Sequence, residues 1–236
     1  MGGIGTNENI LTEIIVLSTN ERLEGLKEVY EGKYETPLID KVASECSGDY
    51  EKFLVACLLA DRVEGEEPDE GAAEEQAEAL YEAGEGKRFG TDEDVFVEIL
   101  SKASVEQADL IQAAYERNHD KSLKAAIESE MKGDLEFAML MRLESRIDAQ
   151  CTLLKRGMKG MGTDEGAIAR IVGGSTKAEA AALHERYDEK YGANLIGEIK
   201  VCHLLASCLP PLCGNFLSAF SASFVLLPSA QTSCWQ

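Results

Sequence analysis

The most constraining feature of the sequence is a pattern that occurs three times within the first 200 residues. Each copy begins with a glycine followed by threonine, at Gly5-Thr6, Gly90-Thr91 and Gly162-Thr163. Counted from that glycine, the same residue types recur at plus 9, plus 21, plus 25 and plus 33. The residues concerned are Ile14, Ile99 and Ile171; Leu26, Ile111 and Leu183; Tyr30, Tyr115 and Tyr187; and Leu38, Leu123 and Leu195. This regularity predicts an array of small units that bury their apolar faces against one another.

Within each unit the apolar residues follow a helical spacing. Two such stripes in the first unit are Leu11, Ile14 and Ile15, and then Leu23, Leu26 and Tyr30. Gly48 and Gly133 interrupt the chain before a last apolar helix. Threonines that stand just before a predicted helix are expected to be N-caps, and these are Thr6, Thr91 and Thr163. No run alternates as a strand would, so we predict an all-α fold of short helices with the repeated tyrosines packed between them.

Two stretches differ from the repeated units. Residues 64–85 hold ten acidic residues and no Lys or Arg, which indicates an acidic linker that runs into a helix. Residues 201–236 contain no Asp, Glu, Lys or Arg at all. We therefore expect a first unit at 1–62, a second unit with its linker at 63–146, a third at 147–200, and an uncharged tail of unknown structure.

The charge of the chain limits its partners. Forty-three acidic residues against 23 Lys and Arg leave a formal charge of −20, which argues against nucleic acid because a phosphate-binding face needs clustered basic residues. The N-terminus lacks the basic start and apolar run of a signal peptide, so we expect a cytoplasmic protein with reduced thiols. No enzyme is expected, because no Ser or Cys nucleophile has a convincing base and metal-ligand spacing is absent at His119, His184 and His203.

The glycine loops suggest a cation site made largely of backbone atoms. Glycine can adopt positive φ and turn several carbonyl oxygens toward one point. Ca²⁺ accepts about six to eight hard oxygen ligands with tolerant geometry, and a carboxylate strengthens a site built from carbonyls. Forty residues after the loop glycine stand Glu45 and Glu130, each three residues before a glycine. The third unit has Cys202 at that position, which is no ligand for calcium.

These loops and their distant acids resemble the calcium sites of the annexin family. The family pattern is Met-Lys-Gly-x-Gly-Thr, followed at the distance seen here by Asp or Glu before a glycine. Residues 158–163 match the loop in full, and residues 1–6 match it with Gly2 in place of lysine. Residues 86–91 resemble the variant loop of the family's third repeat. The acidic linker also falls where that family has its long connection between repeats two and three.

The resemblance implies annexin-like helical repeats, of about five short helices each, that form part of a curved disk. The three units would correspond to most of repeat two, repeat three with its linker, and the front of repeat four. We expect the first repeat, and the helix that should precede Met1, to be absent. The resemblance is expected to end at Val201.

The resemblance also implies calcium-dependent binding to anionic phospholipid membranes. Loop carbonyls and one Glu would hold Ca²⁺, lipid phosphoryl oxygens would complete its shell, and the apolar tip residues Ile4, Phe89 and Met161 would touch the interface. The third site is the least expected of the three, since it lacks its carboxylate. The implied metal ligands are Met1, Gly3, Gly5 and Glu45; Gly86, Arg88, Gly90 and Glu130; and Met158, Gly160 and Gly162.

Other interpretations stay open. A calcium-independent scaffold, or a relative with a cytoskeletal partner, would need the repeats but not Glu45 and Glu130. A tail-anchored or misfolded fragment dominated by residues 201–236 is another class, although residues 216–227 are too short and polar to span a bilayer. Residues 1–6 also fit an N-myristoylation pattern. Self-association is expected, because terminal units of such arrays need a polar cap to cover their apolar faces.

Overall fold

The computed structural model describes residues 7–159 and 164–207, with side chains up to residue 201, and this part of the chain is all-α. Its thirteen helices form three consecutive units, and no β-strand occurs among these residues. The first unit is α1 (Glu8–Val16), α2 (Asn20–Tyr34), α3 (Leu38–Glu45) and α4 (Gly48–Leu58). The second is α5 (Glu70–Ala83), α6 (Glu93–Lys102), α7 (Val105–His119), α8 (Leu123–Glu130) and α9 (Gly133–Arg142). The third is α10 (Arg146–Gly157), α11 (Glu165–Gly173), α12 (Lys177–Tyr191) and α13 (Leu195–Ser207).

Polar caps fix where most of these helices begin. A side-chain oxygen accepts a first-turn backbone N–H at Asn7, Thr19, Asp69, Ser104, Ser122, Ser145, Asp164 and Thr176. The prediction that Thr91 is an N-cap is wrong, because Asp92 occupies the cap position of α6 and the Thr91 hydroxyl bonds elsewhere. Thr6 and Thr163 lie outside the described residues, and the helices that follow them are capped one residue later, by Asn7 and Asp164.

Left-handed backbone turns recur at fixed positions in the units. The helices α2, α7 and α12 each have 15 residues, and their C-caps are Glu35, Asp120 and Gly192, whose φ angles are 54°, 53° and 61°. Gly48 and Gly133, at the starts of α4 and α9, have φ of 67° and 66°. Only glycine adopts such angles without steric cost, which explains the two glycines that break the chain at equivalent places.

One apolar core runs through all three units. Leu38, Leu123 and Leu195 are buried, as are Tyr115 and Tyr187, while Tyr30 is half-buried against the same core. The repeated tyrosines are therefore packing residues, as predicted. Ile14 is a correction to the predicted stripe on α1, since 38% of its surface is exposed whereas only 3% of its counterpart Ile171 is exposed. Its side chain borders a cavity between α1 and the third unit.

The units are joined by helix packing, one long-range ion pair and the linker. The first helix packs against α4 and α9, which interleaves the first two units. The Arg170 guanidinium donates to both carboxylate oxygens of Glu13, with a shortest distance of 2.8 Å, and so ties the third unit to the first. In the linker, the Val63 N–H bonds the Lys102 carbonyl at 3.0 Å. As predicted, the acidic stretch runs into a helix, which begins at Glu70.

The last described helix passes the expected start of the tail. In α13 the helical backbone continues beyond Lys200 to Ser207, into the uncharged part of the sequence. No helix within residues 7–159 and 164–207 is long and apolar enough to cross a membrane.

Two glycines offer a matched test of the backbone geometry. A Cβ added at Gly25, inside α2, or at Gly133 would meet no atom within 4 Å, so only backbone conformation separates them. We expect Gly25→Ala to stabilise the fold by about 0.5–1 kcal/mol, because alanine loses less entropy in a helix. Gly133→Ala should destabilise it by about 1–2 kcal/mol, since its φ is positive. Urea unfolding in a calcium chelator measures both, and equal effects would contradict the assignment of strain to residue 133.

Candidate functional site

The loop between α5 and α6 exposes backbone carbonyls on a well-fixed turn. Residues 86–90 are all exposed, and Gly90 has a φ of 69°. The N–H groups of Gly86 and Lys87 point back to the carbonyls of Tyr81 and Gly84, at 2.8 and 2.9 Å. The Asp92 N–H closes the turn on the Ala83 carbonyl at 2.8 Å. The carbonyl oxygens of residues 86, 88 and 90 accept no hydrogen bond from any described residue, so these oxygens are available as ligands.

Glu130 is brought to this loop by the end of α8. The helix ends at this glutamate, and the buried Met131 forms its C-cap. The Thr91 hydroxyl donates to Glu130 Oε2 at 2.5 Å, which joins the end of the loop to its distant acid. Among the described residues, no side chain or backbone group donates to the other carboxylate oxygen of Glu130. Glu130 therefore lies beside the residue that follows the loop, and the sharing of one ion by Gly86, Arg88, Gly90 and Glu130 stays a prediction.

Sequence reasoning missed two residues that shape this site. Thr91 was predicted only as a helix cap, although threonine after the loop glycine in all three units is the signal that could have revealed its role. Gly84 lies next to the acid, since a Cβ there would be in ordinary contact with Glu130 Cγ at 3.5 Å and in tight contact with Phe96 Cζ at 3.3 Å.

The residue before the loop is also anchored, through Glu85. Its carboxylate accepts a hydrogen bond from the Tyr115 hydroxyl at 3.1 Å and an ion pair from Lys121. Burial and the charge of Glu85 both raise the pKa of Tyr115, so the hydroxyl stays protonated as a donor. The repeated tyrosine at plus 25 thus supports the loop in this unit as well as filling the core.

The first unit places its acid in the same way but pairs it differently. Glu45 ends α3 as Glu130 ends α8, and the ammonium of Lys41 forms an ion pair with it one helical turn earlier. The equivalent residue in the second unit is the buried Ala126, which offers no such partner. The predicted loop ligands Met1, Gly3 and Gly5 lie outside the described residues.

The third unit has lost the turn that would hold an acid. Gly160 and Gly162 lie outside the described residues, as does the side chain of Cys202, while Met158 is the C-cap of α10. Leucine stands at residue 205, where the other units have Gly48 and Gly133, and α13 continues through this position. Because leucine favours a helix and disfavours positive φ, the chain does not turn there.

The two acids at the loops border a strongly negative groove of about 530 Å³ between the first and second units. Burial raises the pKa of the Cys46 thiol, and the negative charge of nearby carboxylates such as Glu8 and Glu51 raises it further. Across the described part of the chain, no three His, Cys, Asp or Glu side chains are grouped to hold a metal ion by themselves. The acids that line the groove are Glu8, Glu45, Asp49, Glu93, Glu130 and Asp134.

The donor set of the second unit is chemically selective. Its carbonyl and carboxylate oxygens are hard ligands, which suit Ca²⁺ and Mg²⁺ rather than metals that prefer nitrogen or sulfur. Backbone carbonyls on a loop cannot easily form the strict octahedron of Mg²⁺, whereas Ca²⁺ tolerates irregular geometry. The residues present therefore fit Ca²⁺.

Comparison with known proteins identifies the family. The family profile described as Annexin matches residues 1–57, 75–141 and 147–204, which is most of the chain. Human annexin A13 is 36% identical over 198 residues, which cover 83% of this chain and 62% of annexin A13. Annexin B10 of Drosophila melanogaster is 35% identical over 199 residues, with the same two coverages. The chain belongs to the annexin family.

Solved structures agree with this assignment. The structure of annexin III superposes with a TM-score of 0.78 at 32% identity, covering 86% of this chain and 63% of that chain. Chicken annexin V in complex with Zn²⁺ gives a TM-score of 0.75 at 30% identity, with coverages of 85% and 64%. The annexin resemblance and the all-α repeat fold are thus confirmed. The chain spans about 62% of the length of the curated relatives it matches.

The role of Thr91 can be tested by removing its hydroxyl. We expect Thr91→Val to weaken calcium binding by about tenfold, which is the usual cost of losing a group that orients a metal ligand. Calorimetric calcium titration measures the effect, and Thr36→Val, at an exposed threonine, is the control. Wild-type affinity in Thr91→Val would show that the hydrogen bond does not position Glu130.

Proposed function

We propose that this chain binds Ca²⁺ through the carbonyls of Gly86, Arg88 and Gly90 with the carboxylate of Glu130, and that it binds anionic phospholipid through the ion. The observation that supports this is the hydrogen bond from Thr91, which holds Glu130 next to the end of the loop. No described residue donates a hydrogen bond to the three loop carbonyls. Membership of the annexin family supports the proposal, because the resemblance implies this activity.

Coordination counting explains why lipid would take part. Three carbonyls and a bidentate Glu130 supply five oxygens, whereas Ca²⁺ takes about six to eight. The remaining positions can be filled by lipid phosphoryl oxygens or by water. The ion then bridges two negative surfaces, the membrane and a chain of formal charge −20 that would otherwise repel it.

The tip of the loop is suited to the membrane interface. Phe89 is 83% exposed, the largest exposure among the described apolar side chains, and the Arg88 guanidinium lies 5.8 Å from its ring centre. An aromatic ring beside a cation can rest at the headgroup level while the cation meets phosphate. In this proposal the protein is cytoplasmic and becomes peripheral on membranes when calcium rises.

The three candidate sites are not equal. The second unit combines available carbonyls with an acid that has one oxygen without a described donor. In the first unit Lys41 competes for Glu45. The third unit lacks both the acid and the glycine turn. We therefore propose that the site at Glu130 dominates.

The central test removes the charge of Glu130. We expect Glu130→Gln to raise the calcium concentration for half-maximal vesicle binding by more than about tenfold, because glutamine keeps the shape but loses the charge and the bidentate grip. Co-sedimentation with phosphatidylserine and phosphatidylcholine vesicles measures this across a calcium titration. The matched control is Glu128→Gln, an exposed acid on the same helix.

The same assay separates the competing interpretations. Vesicle binding that a chelator leaves unchanged would contradict calcium bridging and favour the calcium-independent scaffold. Equal effects of the Glu128 and Glu130 changes would indicate a general charge effect in place of a ligand. If changes in the third loop proved more damaging than Glu130→Gln, the ranking of sites would be wrong.

Lys41 provides a test of the first site. We expect Lys41→Ala, in the Glu130→Gln background, to lower the half-maximal calcium by about twofold, because an exposed ion pair of this kind is worth about 0.3–0.5 kcal/mol. Lys27→Ala, which removes the same charge from an ion pair with Glu24, is the control. No difference between the two variants would mean that Lys41 does not restrain Glu45.

A further inference from the structure

A second site of opposite character lies between the first and third units. A cavity of about 420 Å³, within the range of about 300–1,000 Å³ typical of small-molecule sites, is bordered by α1, α10, α11 and α12. Three arginines line it, Arg22, Arg146 and Arg170, together with the two acids Glu13 and Glu179. The cavity therefore has more basic than acidic side chains, although the chain as a whole is strongly acidic. This concentration of guanidinium groups separates the cavity from the negative groove at the loops.

Two of the three arginines are not neutralised by an ion pair within the described residues. Arg170 is neutralised by the two oxygens of Glu13. Arg22 and Arg146 form no ion pair with any residue that the structure describes. The nearby Glu179 carboxylate is bonded instead to the Thr176 backbone N–H, at 2.7 Å.

The environment of Arg146 is unfavourable for positive charge. Burial lowers the pKa of Arg146, and the charge of Arg22 lowers it further, while Glu179 acts in the opposite direction. Arg22 lies in the first turn of α2 and Arg146 is the first residue of α10, where the helix dipoles add positive potential. An anion between the two guanidinium groups would relieve this repulsion.

Part of the lining is apolar. Ile14, Leu17, Ile147 and Ile171 border the same cavity, and Ile14 keeps 38% of its surface exposed there. A cavity of this size and lining is larger and more apolar than an inorganic anion needs. It suits a molecule with an anionic head and an apolar organic body.

The position of the cavity indicates a soluble ligand in place of a lipid. Ser18 and Ser175 on its rim follow the ends of α1 and α11 that are remote from the calcium loops. Arg146 likewise begins α10, which extends for 12 residues, or about 18 Å, before it reaches the third loop. A membrane bound at the loops would therefore lie on the other side of the helices.

We propose that this cavity binds an organic phosphate, with the phosphate held by the guanidinium groups of Arg22 and Arg146 and the organic part packed on Ile14 and Ile147. Guanidinium groups match phosphate oxygens in pairs of hydrogen bonds, which makes arginine better suited than lysine to this role. The site is independent of the calcium loops and is expected to work in a chelator.

Calorimetric titration of the full chain with phenyl phosphate, in a calcium chelator, tests the proposal. We expect saturable binding that Arg22→Gln and Arg146→Gln each weaken by about tenfold or more, because hydrogen bonds to charged groups are the strong ones. Lys177→Gln removes an exposed positive charge close to the cavity and should leave the affinity within about twofold of wild type. Because neither guanidinium forms an ion pair with a described residue, the variants should keep the wild-type circular dichroism and melting temperature.

Each other outcome would overturn the proposal. Absence of binding to the wild-type chain would show that the cavity is not a site for organic phosphate. Equal weakening by all three changes would mean that only the general positive charge of the region attracts the phosphate. Inorganic phosphate binding as tightly as phenyl phosphate would exclude a role for the apolar wall. Arginine-dependent binding to phosphatidic acid vesicles in the chelator, without binding of phenyl phosphate, would identify a lipid headgroup as the ligand. None of these results depends on whether calcium binds at Glu130.

Discussion

The candidate calcium site depends on the burial of the helices between its two halves. Thr91 and Glu130 are 39 residues apart in sequence, yet their oxygens are 2.5 Å apart. That hydrogen bond is worth only about 0.5–3 kcal/mol, depending on charge, and cannot by itself fold the segment. Ile111, Tyr115, Leu123 and Ile127 on the intervening helices are fully buried, and each large apolar side chain contributes roughly 1.5–3 kcal/mol. Core packing therefore places the acid, and the hydrogen bond sets its final orientation.

The three units show how single residues change the end of a repeated helical scaffold where a site is proposed. The turn that follows α3 and α8 needs positive φ, which Gly48 and Gly133 supply, and leucine at residue 205 lets α13 run on instead. In the two units that have this turn, the residue four positions before the glutamate differs, and with it the presence of an ion pair on the carboxylate. Lys41 forms an ion pair with Glu45, whereas Ala126 is buried in the core and cannot pair with Glu130. The units share a common arrangement of helices, and they differ in the residues at the ends of α3 and α8 and at the equivalent positions of α13.

What the sequence could predict follows from how local each feature is. Spacing along the chain, which the sequence displays directly, was enough to predict the helices and the repeated tyrosines in the core. The same spacing singled out Glu130 in the second unit. The role of Thr91 was missed because its partner lies on another helix, and a hydroxyl before a helix is indistinguishable from a cap without that partner. The exposure of Ile14 was missed for the same reason, since periodicity shows which face is apolar but not what covers it. Contacts between units are the information that a single sequence lacks.

The charges of the chain are separated along its helices. Six acids border the groove near the loops, and Arg22 and Arg146 border the cavity at the other end of the third unit. Like charges held together by the packing of a shared core raise the free energy of the folded state, and a bound counter-ion lowers it by binding the folded chain alone. The same argument applies at both ends with opposite sign, so the proposed cation at the loops and the proposed anion at the cavity would each offset a local imbalance. The ion pair between Glu13 and Arg170 shows the alternative solution, in which the protein supplies the counter-charge itself and no ligand is needed.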